Sequence, residues 1–446
     1  MTERLTSALG IVVILLLAAA LCPRSHWRLI RLRTVGGGLV LLLAMAALVL
    51  KTPLRLVFVW ANDGVERLLE FSHEGAAFVF GPLVDVKAFG FVFAFQVLPT
   101  IVFFSALMSA AYHVGVMPWL VRVLGRLLSR AVGVSGVESL STVADIFVGQ
   151  TEAPLVIKPY LPTLTRSELM ACMTAGFATT AGGVLAAYVL MLRDHVPDIA
   201  GHLISCSVMA APASLVIAKL MLPEQRALAP DLVRGGQQAP EGKLAAAEAT
   251  SEGPNAALPA ASPLAPELPG QAASGLLDAI TMGTTDGLRL AANVGAMLIS
   301  FLALTALFDF VLGWVSGGLL GEPLSLQRIL SWLFSPLAWL MGVSSQDTAK
   351  VAGLLGQKTV LNEFVAYSTM SRELALDPAW LSERSRIIAS YALCGFANIG
   401  SIGIQIGGYA SLAPSRRSDL TQLGPRAMLG GLLTTCLVAC VAGIFT

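Results

Sequence analysis

The chain has 446 residues, of which 55% are apolar and only 13% charged, and its mean hydropathy is +0.75. A water-soluble domain carries about a quarter charged residues, so that class is excluded. The balance of 29 Lys+Arg against 28 Asp+Glu also lacks the basic excess that a nucleic-acid partner requires.

The first apolar run, Ala8 to Leu21, is followed rather than preceded by its arginines, and a second run begins soon after. A retained span is expected there, not a cleaved signal peptide. Counted against the roughly 20 apolar residues that a bilayer demands, the runs place spans near residues 8–22, 36–51, 89–111, 168–192, 200–222, 291–316, 386–411 and 427–446. Arg24, Arg28, Arg31 and Arg33 put the first connection in the cytoplasm and the N-terminus outside. Arg416, Arg417 and Arg426 obey that count, whereas Arg372, Arg384 and Arg386 fall outside, against the rule.

Between the spans, a stretch over 53–72 reads as amphipathic and is expected along the outer surface. Arg122, Arg126 and Arg130 share one helix face opposite Leu120, Val123, Leu124, Leu127 and Leu128, the pattern of a helix lying on the inner surface. Residues 223–272 are rich in Ala, Pro, Gly and Glu without apolar periodicity, which predicts a disordered linker on the inner side.

Two segments, 134–165 and 332–371, are apolar but interrupted by Gly, Pro and charge. Broken backbone at membrane depth survives only inside protein or beside a watery cavity, so both are expected to be re-entrant helical hairpins, entering from opposite sides. Each is followed by a similar small-residue stretch, Gly176-Phe177-Ala178 and Gly395-Phe396-Ala397, and each carries an intramembrane acid, Glu152 or Glu363. Opposed similar units form an inverted repeat, which places a substrate site at its interface. The expected fold is therefore an all-α integral membrane protein of about eight transmembrane helices plus two opposed re-entrant hairpins. The expected organisation is N-terminal scaffold spans with an amphipathic helix (1–111), transport repeat 1 (112–222), the linker (223–272), an interfacial helix with a scaffold span (273–330), and transport repeat 2 (331–446).

Intramembrane acids are costly and so mark function. Gln150, Thr151 and Glu152 bunch at the expected tip of the first hairpin, and Glu363 lies on the second. Asn398 and Ser401, three apart, share a helix face. Carboxylates accept from hydroxyls and amides match a heterocycle's mixed edge, so this set suits a neutral, hydroxyl-rich solute with a flat polar ring. Phe396 is placed to stack on such a ring or to pack the bundle interior. The six cysteines are scattered, Cys436 and Cys440 being packing residues at helical spacing, and the five histidines form no ligand spacing. Neither a metal site nor a disulfide framework is expected.

The runs Asp145 to Leu155, Asn362 to Tyr367 and Cys394 to Ser401 resemble the signatures of the concentrative nucleoside transporters, a likeness extending from about residue 89 to the C-terminus apart from the linker. The resemblance implies a homotrimer in the cell membrane, a scaffold holding a mobile transport domain, and nucleoside symport with a cation, without an organic cofactor. It implies that Gln150, Thr151, Glu152 and Val184 face the base, that Glu363, Asn398 and Ser401 hold the ribose, and that Phe396 lies beside the base. Asp145, Val148, Thr179 and Thr180 then form the coupling-ion site, partly through backbone carbonyls. Sodium-coupled members usually have Asn where this chain has Asp145, and Thr180 replaces a usual aliphatic residue. A carboxylate suits sodium as a hard oxygen ligand, yet it also takes up protons, so both ions are open, with sodium preferred.

Two other classes compete. An intramembrane hydrolase or lipid-modifying enzyme would use Glu152 and Glu363 as an acid–base pair, but no nucleophile–histidine set or metal cluster accompanies them and the repeat has no role in it. A passive channel fits the polar pocket less well than a carrier, because hairpins closing both sides favour alternating access.

Overall fold

The computed structural model describes residues 2–51, 55–89, 92–225, 273–320 and 324–446. The expected linker lies outside the described residues from 226 onward, as do positions 53 and 54 of the expected amphipathic stretch. Among the described residues all regular structure is helical. The elements are α1 (Thr2–Ala20), α2 (Leu32–Lys51), α3 (Arg55–Phe80), the single turn α4 (Val86–Phe89), α5 (Phe93–His113), α6 (Val116–Val132), α7 (Gly136–Phe147), the short α8 (Ala153–Val156), α9 (Arg166–Ala178), α10 (Gly182–Leu192) and α11 (Ile199–Met221). After the interval follow α12 (Leu276–Leu320), α13 (Leu326–Leu340), α14 (Thr348–Val360), α15 (Glu363–Leu376), α16 (Glu383–Leu393), α17 (Ile399–Leu412) and α18 (Arg417–Phe445).

By length and composition, six apolar stretches among the described residues can cross a membrane: Glu3–Ala20, Phe93–His113, Arg166–Leu192, Ile199–Met221, Leu276–Ser316 and Pro414–Phe445, with Leu32–Leu48 a shorter apolar helix. Two expected continuous spans are instead broken. The span over 168–192 loses helical geometry at 179–181, and that over 386–411 at 394–398. Polar residues concentrate around both breaks, where Thr179, Thr180, Asn398 and Ser401 are all buried. Such groups need partners that a straight apolar helix would deny them.

The run α5–α11 has the same order as α12–α18. Each opens with a long apolar helix, continues with an amphipathic helix and a hairpin, passes through a broken helix, and closes with a buried helix. The long helices α5 and α12 pack on each other, and α11 packs on α18. Small residues permit the first contact: a Cβ on Gly283 would come 2.5 Å from the Ser109 Cβ, and one on Gly287 would come 2.8 Å from the Val102 Cα.

Side-chain ties define two opposite faces. On one, Arg426 donates to the carbonyl of Met221 at 2.8 Å, Arg166 pairs with Asp419 at 2.8 Å, and Lys219 contacts Glu138 at the start of α7. On the other, Arg384 donates to the Gly443 carbonyl at 2.6 Å and the Gly342 carbonyl at 3.1 Å, while Asp347 accepts from the Ser382 hydroxyl at 2.7 Å. Hairpin 1 and α9 therefore start on the face where α11 ends, and hairpin 2 and α16 start on the face where α18 ends. The two units run in opposite senses.

Three expectations are corrected in detail. The second hairpin begins at Thr348, not near 332; the segment before it is the separate helix α13, N-capped by Ser325, whose hydroxyl accepts from the Arg328 N–H at 3.2 Å. The two Gly-Phe-Ala tripeptides are not equivalent in register: Gly176–Ala178 is the last turn of α9, whereas Gly395–Ala397 is the break itself. The apolar side of α6 is divided, with Val121 and Leu128 buried while Val123 and Leu127 are exposed beside Arg122, Arg126 and Arg130.

Two of the three arginines that violate the charge rule have structural employment, whereas Arg372 is exposed and pairs with its neighbour Glu373 at 2.8 Å. Arg384 caps carbonyls near the ends of α13 and α18 and pairs with Glu3 at 3.4 Å. Arg386 donates to the His195 carbonyl at 3.0 Å and to the Leu381 carbonyl at 2.9 Å. Cations at helix C-termini satisfy orphan carbonyls and the dipole there. Their sidedness follows from that capping.

Candidate functional site

Hairpin 1 starts on a capping box. The Ser135 hydroxyl accepts from the Glu138 N–H at 3.3 Å and a Glu138 carboxylate oxygen accepts from the Ser135 N–H at 2.9 Å. Its helix ends at Phe147, and Gly149 then adopts φ +88°, where an L side chain is strained. A Cβ at Gly149 would also meet that of Ala181 at 2.8 Å. The hairpin tip is thus seated against the break between α9 and α10, and Gln150 is carried into the interior.

In the second repeat the breaks are capped by amides. Asn362 Oδ1 accepts from the Val365 N–H at 2.9 Å, and Asn398 Oδ1 accepts from the Ser401 N–H at 2.8 Å. Capping uses only the oxygen of each amide. Asn398 Nδ2 remains able to donate to Glu363 Oε2 at 3.0 Å, while Tyr188 Oη of α10 donates to Glu363 Oε1 at 3.0 Å. Gln150 Nε2 donates to the Ser401 hydroxyl at 3.2 Å. One polar chain, Tyr188–Glu363–Asn398–Ser401–Gln150, therefore joins the two repeats. Tyr188 is held by stacking on Tyr367 at 4.5 Å between ring centroids.

The other predicted residues surround this chain. Glu152 and Val184 line a cleft between hairpin 1 and helices α5 and α12, together with Ser105, Tyr112, Gly283 and Asp286. Thr151 stands exposed at the same tip, and Phe396 is half-buried within the second break. The breaks also touch each other: Gly395, at φ +115°, approaches so closely that a Cβ would lie 2.7 Å from the Ala178 carbonyl oxygen.

Asp145 is fully buried near the end of α7, and neither of its oxygens has a hydrogen-bond partner among the described residues. A Cβ on Gly176 would lie 3.2 Å from Asp145 Oδ1, which places the carboxylate against the last turn of α9. Val148 is buried at the hairpin tip. Thr179 and Thr180 are buried in the adjoining break, where the Thr180 hydroxyl lies 3.2 Å from that of Ser207. A buried carboxylate with both oxygens open, beside non-helical backbone, is a donor set suited to a small hard cation.

Three residues escaped the sequence reading. Tyr188 lies one turn beyond Val184 on α10, in a run whose composition gives no sign of its partner, Glu363. Gln405, one turn beyond Ser401, is buried and donates to the Met173 carbonyl at 3.1 Å. Lys358 sits inside hairpin 2, and no spacing signals its partners.

A helical bundle whose opposed hairpins and broken helices converge on a buried polar chain has the architecture of a secondary transporter. Comparison with known proteins specifies which. The chain belongs to the family of Na+ dependent nucleoside transporters: its C-terminal family model matches residues 202–443 and its N-terminal model residues 9–83, with a nucleoside recognition "Gate" model over 94–194. An uncharacterized transporter of Haemophilus influenzae is 41% identical over 445 residues, covering 99% of this chain and 97% of that protein. Sodium/nucleoside cotransporter 1 of Rattus norvegicus is 39% identical over 99% of this chain, which spans only 64% of the rat protein's length. Among solved structures, CNTnw in an inward-facing substrate-bound state superposes with TM-score 0.84 at 39% identity, covering 100% of this chain and 98% of that one. A substituted form of CNTnw in an outward-facing state gives 0.85 at 39% identity, with the same coverage of both chains. These relatives are transporters, so the enzyme alternative falls.

Proposed function

We propose that this chain imports nucleosides across the cell membrane by symport with sodium, through alternating access of a site between its two repeats. The observation that carries the reading is the polar chain from Gln150 to Glu363, which places an amide and a carboxylate from opposite hairpins in one buried network. Glu363 accepts from the ribose hydroxyls, with Asn398 and Ser401 beside it, and a charged acceptor makes those bonds strong. Gln150, Thr151, Glu152 and Val184 face the base, and Phe396 covers it. Opening the Gln150–Ser401 bond frees both groups for the solute.

Asp145, with Val148, Thr179 and Thr180, takes the coupling cation. Sodium is preferred over a proton because the family is described as sodium-dependent. Cation binding orders the tip that carries Gln150, so solute affinity depends on the ion and the ion's affinity on the solute. Helices α5 and α12 belong to a scaffold, and the exposed apolar side chains of α12, including Ile299, Phe310 and Trp314, face lipid and neighbouring protomers of a homotrimer. The hairpins, re-entrant in the membrane, move with the broken helices as a transport domain.

The test is uptake of radiolabelled uridine by purified protein in proteoliposomes with an imposed sodium gradient. Accumulation above the external concentration, collapsing when the gradient is dissipated, is expected. Equilibration without accumulation would make the protein a passive pathway.

A further inference from the structure

Lys358 is fully buried within α14, two residues before the end of the first helix of hairpin 2. Its ammonium donates to the Ala392 carbonyl at 2.8 Å, the Thr435 hydroxyl at 3.0 Å and the Cys394 carbonyl at 3.5 Å. Among the described residues it forms no ion pair with a carboxylate; Glu363, five residues on, is taken by Tyr188 and Asn398. The acceptors are the C-terminal carbonyls of α16 where that helix breaks, plus a hydroxyl of α18. Such half-helix ends carry the negative pole of the helix and are where transporters bind cations.

Asp145 occupies the corresponding place in the other repeat. It too lies two residues before the end of its hairpin's first helix, and it too is packed against the last turn of the broken helix that follows. One position bears an anion with both oxygens open; its pseudosymmetric counterpart bears a cation with its donors filled. With a cation at Asp145, as proposed above, each half of the molecule brings a positive charge to the break of its helix, one from solution and one from the chain.

We propose that Lys358 is a tethered replacement for a coupling cation. It occupies the second of two symmetry-related cation sites, keeps hairpin 2 and the α16–α17 break assembled at all ion concentrations, and confines ion dependence to hairpin 1. The assignment of hairpin 1 rests on the reading of Asp145 given above; the oxygen cage around Lys358 does not. Truncating the side chain leaves a vacancy lined by carbonyl and hydroxyl oxygens, the donor class that holds a small monovalent cation or a primary ammonium.

The experiment compares wild type, Lys358→Ala, Lys358→Met and Asp145→Ala in proteoliposomes, with uridine uptake measured across sodium concentrations and with or without methylammonium on both sides. Lys358→Ala should lose uptake by about tenfold or more at the wild-type half-saturating sodium. Methylammonium should restore it at least severalfold, or a steeper sodium curve should appear as a second ion enters. Lys358→Met, which fills the space without charge, should stay inactive and unrescued, and methylammonium should leave wild type unchanged. Wild-type uptake by Lys358→Ala, or a folded variant rescued by neither ion, overturns the proposal. Where Lys358→Ala does not fold alone, purification in methylammonium serves as the measurement: a melting temperature raised by the amine in this variant and not in Lys358→Met supports the cage, and none overturns it. A wild-type sodium curve in Asp145→Ala would remove the hairpin 1 assignment while leaving the amine result to decide Lys358.

Discussion

Gln150 and Ser401 are 251 residues apart in the chain, yet the amide of one donates to the hydroxyl of the other at 3.2 Å. The bond closes the buried polar chain and couples the tip of hairpin 1 to the first turn of α17. On the function proposed above, a solute entering between the repeats competes with it.

Replacing either partner should weaken uridine binding in a coupled way. Gln150→Ala and Ser401→Ala are each expected to raise KM about fivefold, the equivalent of ~1 kcal/mol for a buried hydrogen bond. The double variant should exceed the product of the two, because either single change already spares the solute the breaking of their shared bond, and the double change spares it only once. Strict additivity in uptake kinetics would mean that the pair does not act as a unit.

Glu363→Ala should abolish uridine uptake while the protein still inserts and purifies normally. The substitution removes the acceptor of both Tyr188 and Asn398 and leaves two buried donors unpaired. Normal uptake by this variant would refute the ribose-binding role.

Asp145→Asn should make transport more dependent on sodium and less sensitive to pH. An amide still offers a carbonyl oxygen to sodium but cannot exchange a proton at neutral pH. Uptake measured over a grid of sodium and pH checks this; unchanged dependence on both would take Asp145 out of the coupling site.

Gly395→Ala should destabilise the fold. The residue has φ +115°, and its new Cβ would lie 2.7 Å from the Ala178 carbonyl oxygen, backbone that cannot move aside cheaply. A cost of about 3 kcal/mol is expected from strain and overlap together. The readout is the melting temperature in detergent, with Gly403→Ala, where nothing lies within 4 Å, as the silent control.

Lys219→Met should be more damaging than Lys219→Met combined with Glu138→Gln. The Lys219 ammonium contacts Glu138 and lies 3.1 Å from Glu224 and 2.9 Å from the Ser167 hydroxyl. Removing only the cation leaves the buried Glu138 charge uncompensated, at a cost of about 3–5 kcal/mol, whereas neutralising both recovers most of it. Thermal unfolding of the single and double variants distinguishes the two cases; equal destabilisation would show that the pair contributes no electrostatic coupling.

Much of the candidate site was legible because intramembrane polarity is conspicuous. Gln150, Glu363, Asn398 and Ser401 interrupt apolar runs, and the structure joins all four in one hydrogen-bonded chain. Tyr188 was not, since a tyrosine in the run Gly182 to Leu192 is ordinary in composition and its partner lies 175 residues away. Arg384 and Arg386 misled a charge count because that rule assumes arginines in loops, whereas these cap carbonyls. The repeated Gly-Phe-Ala tripeptide pointed to the correct relationship through an imperfect correspondence: its two copies meet in space but stand at different places relative to their helix ends.

The sequence alone determined that the chain lives in a bilayer, where its apolar runs lie and which polar residues needed an explanation. Those properties are sums over neighbouring residues, because transfer free energy is charged group by group along the chain. Only the tertiary structure decided which carbonyls surround Lys358, which donors hold Glu363, and that two apparent spans are broken. Such pairings depend on how helices distant in sequence cross, and no local pattern encodes a crossing.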